Sequence, residues 1–227
     1  MFYGGFSYLH PYLDDTFSLY QQIYVDPSKA RTAQEASELV AKNLGGLNPD
    51  DVVFAHSWGS YLVLEAIKKR KAPPCHFILA NPVPLSSSNL PLILKTLTER
   101  MTPETLQKVE AELCRKGKDA GAEAFRLALR AYTGHAGRLP RLNFEFWPER
   151  ESMVSRSQLK YSHKSLFNKI NGRTLVLFGQ SDYITLALFG GKPRHTQTLP
   201  GGHFGFAETP LAYKRALINF LLKSGNA

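Results

Sequence analysis

Long apolar runs are missing from this 227-residue sequence. No stretch approaches the roughly 18 apolar residues that a membrane-spanning helix needs, so no membrane span is expected. The start, Met1-Phe2-Tyr3-Gly4-Gly5, has no basic residue ahead of an apolar stretch, and Lys29 is the first Lys or Arg. No secretory signal is therefore expected, and the chain reads as cytoplasmic. Cysteine is scarce. Cys75 and Cys114 are too few for a disulfide framework and lack the C-x-x-C spacing of metal or redox sites, so both read as small core residues. Internal repeats, low-complexity tracts and Gly/Ser-rich linkers are absent, which excludes collagen-like and disordered architectures. Acidic side chains are outnumbered, 19 against 28 basic ones, for a net charge of +9 that raises the question of an acidic partner. The basic residues are scattered, with no Arg-rich run or zinc-finger spacing, so a nucleic-acid reader is not expected.

The composition that remains, 43% hydrophobic and 21% charged, suits one globular domain with room for a modest insertion. Met1-Phe2-Tyr3 and Gln22-Ile23-Tyr24-Val25-Asp26 read as short strands. Thr32 and Glu35 form a capping box, and Ala36, Leu39, Val40 and Leu44 recur behind it at helical spacing. Asp51–Ala55 is a continuous β-branched and aromatic run, the pattern of a strand buried on both faces. It turns at His56-Ser57-Trp58-Gly59 into a helix that closes on basic residues 68–71. Another strand, His76–Ala80, follows Pro73-Pro74. The alternation is that of a parallel sheet with helices on both faces, an α/β fold. From Leu85 to about Gly172 the pattern becomes helical, with Thr102-Pro103-Glu104 opening one helix and Ala122, Phe125, Leu129 and Tyr132 striping another. Strands resume at Thr174–Phe178 and His195–Leu199, and Thr209-Pro210 starts a last helix whose Leu217, Phe220 and Leu221 face the core. The expected division is a core of 1–84 and 173–227 around a helical insertion of 85–172.

Ser57 lies in Ala55-His56-Ser57-Trp58-Gly59, between a buried strand and a helix, with small residues two positions to either side. This is a nucleophile elbow with Ala in place of the first Gly. The spacing has a physical reason. A sharp, strained turn lifts the hydroxyl above the sheet, and the flanking positions must be small for strand and helix to approach. The helix then aims its N-terminal amides where an oxyanion would form. A serine hydroxyl needs a base, and the base needs an orienting acid. Asp182 follows the strand 174–178, and His203 follows the last strand in Leu199-Pro200-Gly201-Gly202-His203-Phe204. The segment after His76–Ala80, Asn81-Pro82-Val83-Pro84, offers no competing carboxylate. His56 reads as a packed neighbour of the nucleophile and His10 as a surface residue. His76, His135, His163 and His195 have no metal-ligand spacing.

With Ser57, Asp182 and His203 in that order, each just after a strand, the chain resembles the α/β-hydrolase superfamily over nearly its whole length. The resemblance implies Ser57 as nucleophile, Asp182 as acid, His203 as general base and the Trp58 amide as one oxyanion donor. The second donor would be the Phe6 amide in Gly4-Gly5-Phe6, or Gly5 if the register shifts by one. The strands that normally precede this loop are reduced or missing, so either the fold is pared down or the sequence lacks its natural N-terminus. The 21-residue interval from Asp182 to His203 leaves room only for a short helix near Ile184–Phe189. No metal or organic cofactor is expected.

The reading that follows is a serine hydrolase cleaving a carboxylic ester through an acyl-enzyme, with 85–172 as a lid. Gly5, Trp58, Phe144, Phe146 and Trp147 are candidates for the substrate pocket, although the last three could equally pack the insertion onto the sheet. No acidic residue interrupts Ser152–Ser181, which carries Arg156, Lys160 and Lys164, a surface suited to an acidic acyl carrier protein. Size, lid and charge look similar to the pimeloyl-acyl-carrier-protein methyl ester esterases of biotin synthesis and to type II acyl thioesterases. A non-catalytic, hydrolase-like binding protein is the alternative from another class.

Overall fold

The computed structural model describes residues 25, 26, 30–115, 120–133 and 159–224. Its centre is a sheet of four parallel strands in the order β1 (Val52–His56), β2 (His76–Ala80), β3 (Thr174–Gly179) and β4 (His195–Leu199). The apolar strand runs split by residue parity. Val53, Ala55, Phe77, Leu79, Val176 and Phe178 enter one core, and Val52, Phe54, Ile78, Ala80, Leu175 and Leu177 the other. A period of two along a continuous apolar strand thus supplies both faces at once. β4, by contrast, ends the described sheet and exposes Thr196, Gln197 and Thr198, as a polar edge should.

Over the first face lie α1 (Ala33–Leu44), α2 (Trp58–Lys69) and α6 (Lys164–Ile170). The capping box opens α1, where the Glu35 amide donates to Thr32 Oγ1 at 3.1 Å and the Glu35 carboxylate reaches back to the Arg31 amide at 2.9 Å. Leu39, expected on the core stripe, is instead 39% exposed, because Ala36, Val40, Ala41 and Leu44 complete the buried face without it. Cys75 is buried as expected. Cys114 is exposed at the last residue of α4 (Pro103–Cys114), beyond the single buried position of that helix, Val109. The second face is covered by α5 (Ala120–Tyr132), α8 (Gly205–Glu208) and α9 (Pro210–Ser224), which contribute Leu129, Phe206, Tyr213, Leu217 and Phe220. The expected short helix before β4 is α7 (Leu186–Phe189).

The insertion has a neck. Ser86 bridges Ser162 antiparallel, the His163 amide donates to Leu85 O at 2.7 Å, and the Ser87 amide to Tyr161 O at 3.0 Å. Between these two segments of the neck lie α3 (Leu90–Thr98), α4 and α5. Helix α6 falls inside the 85–172 segment but belongs to the core, since Phe167 and Ile170 are 0% exposed against the sheet. Its apolar face needs the sheet, so the structural insertion closes nearer 161 than 172.

Burial also controls two histidines. His163 bonds Glu65 of α2 at 2.7 Å, yet desolvation holds its pKa below the ordinary 6.5 in spite of that carboxylate. His56, at the end of β1, is held well below 6.5 by desolvation and then by His203 beside it. Both therefore protonate less readily in the folded chain than in the unfolded one, where they do so near 6.5. A folded pKa below the unfolded one gives stability that is full above the unfolded value and declines as pH falls beneath it. The unfolding temperature should therefore hold steady from about pH 8 to 7 and drop from about pH 6.5 to 5, less steeply in His163→Gln. Thermal scans across that range that show no slope would contradict this account.

Candidate active site

Each chemical group sits where a strand of this sheet ends. Ser57 follows β1 with φ 49 and ψ −118, a left-handed conformation that costs a non-glycine residue about 1–3 kcal/mol. Hydrogen bonds hold the turn. The Ser57 amide donates to Ala80 O at 3.0 Å, and Ser57 O accepts from the Ser60 amide at 3.0 Å and the Ser60 hydroxyl at 2.6 Å. Ser60 Oγ accepts in turn from the Val83 amide at 3.2 Å, which ties the elbow to the loop after β2. The Ser57 side chain makes no capping bond to its helix. Its hydroxyl is left to face His203 Nε2 at 2.8 Å.

The carboxylate of Asp182 lies on the other side of the imidazole, accepting from His203 Nδ1 at 3.1 Å and from the Ile184 amide at 3.1 Å, both on Oδ1. With Nδ1–H committed to Asp182, Nε2 is the acceptor for the serine proton. Asp182 and His203 are 3% and 1% exposed, so water does not compete for these bonds. Glycines bring the two loops together. A Cβ on Gly179 would run into the Gly202 carbonyl, and Gly201 has φ 108. The base loop is braced further by His56 Nε2–H, which donates to His203 O at 2.8 Å, and by Glu208, which accepts from the Gly202 amide at 3.0 Å.

Trp58 is the first residue of α2, so its amide, next in the chain after Ser57, stands at the positive end of that helix. Its indole stacks on Tyr61 with centroids 4.2 Å apart. Gly5, Phe6, Phe144, Phe146, Trp147 and Arg156 lie outside the described residues. Lys160 and Lys164 are exposed, and Lys160 lines an open groove with Leu90, Pro91, Leu94, Leu159 and Tyr161 at the neck of the insertion. Among the described residues, no group of three or more His, Cys, Asp or Glu side chains could hold a metal ion. None of their helices is long and apolar enough to cross a membrane.

Four further residues stand at the site. Asn81 follows β2 and donates Nδ2–H to Asp182 Oδ2 at 2.7 Å. The Tyr183 hydroxyl is 3.5 Å from His203 Nε2. From the insertion, Arg100 donates to Ser181 O at 2.7 Å and Asp182 O at 3.0 Å, while Tyr132 O accepts from the His203 amide at 2.8 Å. Burial pushes the Tyr132 phenol up to about 12, so it stays protonated at neutral pH. Asn81 had a sequence signal, as the first polar residue after an apolar strand, and Tyr183 had its adjacency to Asp182. Arg100 and Tyr132 had none, since their partners are backbone groups distant in sequence.

No protein-family model matches the chain, and no curated protein matches it in sequence. Solved structures do match in shape. The structure of VinJ aligns with TM-score 0.62 at 20% identity, over 97% of this chain and 88% of that one. MGS-M2, an α/β-hydrolase enzyme from a Medee basin deep-sea metagenome library, aligns with TM-score 0.62 at 13% identity, over 96% and 88%. The carboxylesterase CesB (YbfK) from Bacillus subtilis aligns with TM-score 0.56 at 13% identity, over 97% and 82%. Parallel strands covered on both faces, a serine on the turn after β1 and shape matches along nearly the whole length together give this chain the α/β-hydrolase fold.

Proposed function

We propose that the chain is a serine hydrolase that cleaves a carboxylic ester through an acyl-enzyme at Ser57. The observation that carries this reading is the unbroken line from Ser57 Oγ to His203 Nε2 at 2.8 Å and from His203 Nδ1 to Asp182 at 3.1 Å. In the first half-reaction Ser57 Oγ attacks the ester carbonyl as its proton passes to His203 Nε2. The carbonyl oxygen gains negative charge beside the N-terminus of α2, where the Trp58 amide stabilises it. Collapse breaks the bond to the alcohol, which takes the proton from Nε2. In the second half, water gives a proton to Nε2 and its oxygen attacks the acyl carbon, releasing the acid and restoring the Ser57 hydroxyl. Asp182 holds the imidazole in the required tautomer and stabilises its charged form. Two structural neighbours, CesB (YbfK) from Bacillus subtilis and one from Nitrososphaera gargenis, are carboxylesterases, which agrees with ester chemistry.

For the substrate, we read an acyl chain borne by an acidic carrier protein. What supports this is the net charge of +9 and the exposed Lys160 and Lys164 at the neck of the insertion. Charge of one sign beside an entrance accelerates encounter with an oppositely charged partner and does so less as salt rises.

A fluorophosphonate probe, read by intact mass and peptide mapping, should label Ser57 stoichiometrically and leave Ser57→Ala unmodified. In ester hydrolysis, Ser57→Ala or His203→Ala should lower kcat by about 10⁴-fold or more. A folded chain that never takes the probe would favour the non-catalytic binding protein. Carrier-linked esters and thioesters should lose rate at high salt and in Lys160→Glu/Lys164→Glu, while small esters are hydrolysed as before. Equal rates on both substrate kinds in that variant would remove the carrier from the proposal.

A further inference from the structure

We propose that Asn81 is a positioning residue for the acid of the relay and that the Tyr213 hydroxyl holds it in place. This rests on the reading of Ser57, His203 and Asp182 as catalytic. Asn81 is 0% exposed and sits at φ 48, one of the two non-glycine residues described with positive φ; the other is Ser57. Asparagine tolerates that conformation better than most residues. The backbone there is anchored by the Asn81 amide, which donates to Leu177 O at 2.7 Å. The side chain makes three bonds. Oδ1 accepts from the Tyr213 hydroxyl at 3.0 Å, and Nδ2 donates to Asp182 Oδ2 at 2.7 Å and to Gly202 O at 3.2 Å.

Only one orientation of the amide satisfies those neighbours. Turned over, Oδ1 would face a carboxylate oxygen and a carbonyl oxygen, three acceptors with no proton among them. With Nδ2 committed to those two oxygens, Oδ1 is left to the Tyr213 hydroxyl, which burial keeps protonated and able to donate to it. Tyr213 reaches Asn81 only because Gly205 lacks a side chain; a Cβ there would collide with the Tyr213 hydroxyl. Asp182 is thereby held on both oxygens, Oδ1 by Ile184 and His203, Oδ2 by Asn81. The bond to Gly202 O ties the same amide to the residue before the base. Helix α9 and the end of β2 thus act on the reaction through the carboxylate without touching substrate.

Loss of the Asn81 donor would leave the Asp182 carboxylate more basic and freer to turn. A more basic carboxylate stabilises the imidazolium of His203, so the acid limb of kcat/KM should move to higher pH while kcat falls. Asn81→Gly keeps the backbone conformation accessible and removes the whole amide. Its kcat on a small chromogenic ester should drop about 10- to 100-fold, the effect of one charge-assisted hydrogen bond, with KM little changed. Tyr213→Phe deletes a single oxygen and should shift the limb in the same direction with a smaller loss. Because Tyr213 acts through Asn81, the double variant should be no worse than Asn81→Gly alone. Circular dichroism on each variant checks that it is folded. Unchanged limbs in folded variants, a change confined to KM, or losses that multiply in the double variant would overturn this proposal while leaving Ser57 labelling in the wild type intact. A wild type that takes no probe at Ser57 would overturn the hydrolase reading and this one together.

Discussion

The left-handed backbone at Ser57 is the constraint on which the site depends. A strand must stop, reverse and become a helix within one residue, and L-amino acids resist that conformation. The turn persists because the neighbouring chain over-determines it. The β1–β2 ladder continues through the Ser57 amide to Ala80 O, and Ser60 and Val83 close around the Ser57 carbonyl and the Ser60 hydroxyl. Once the serine is fixed above the sheet edge, the other groups have one place to be. The parallel register delivers Asn81 beside it and sends Asp182 and His203 from the ends of β3 and β4 into the same space.

Helical insertions in such folds are readily pictured as lids, but the described part of this one is built as a brace. Arg100 and the C-terminus of α5 make hydrogen bonds to the backbone of Ser181, Asp182 and His203. Phe125 and Tyr132 pack edge-on or tilted against Phe204, next to the base. Ile93, Leu97 and Ala131 share a cluster with Tyr183 and Ile184, next to the acid. Motion of α3–α5 as a body would break several buried contacts at once, and the cost would fall on the loops that carry Asp182 and His203.

Much of this architecture was legible in the chain. Continuous apolar runs marked β1 to β3 because a strand covered on both faces needs no polar alternation. Thr32 with Glu35 and Thr102 before Pro103 marked helix starts because the first amides of a helix lack partners within it. The small neighbours of Ser57 pointed to the turn, and residues just after strands supplied the carboxylate and imidazole that meet its hydroxyl. Other readings failed where local pattern and tertiary packing diverged. Leu39 has helical spacing but its face was already filled, Cys114 had no core to enter, and α6 looked like insertion until its apolar face met the sheet.

Local sequence was enough for the order of the described strands and helices along the chain, for the serine turn, and for an Asp and a His that follow β3 and β4 in succession. These depend on local propensity and periodicity, which are written within a few residues. Packing alone brought Asn81, Arg100 and Tyr132 into hydrogen bonds with the Asp182 and His203 loops, and Tyr213 onto Asn81. Their partners are a buried carboxylate, an amide and backbone carbonyls lying far along the chain, and which polar atoms must satisfy one another is settled only when folding removes water from between them.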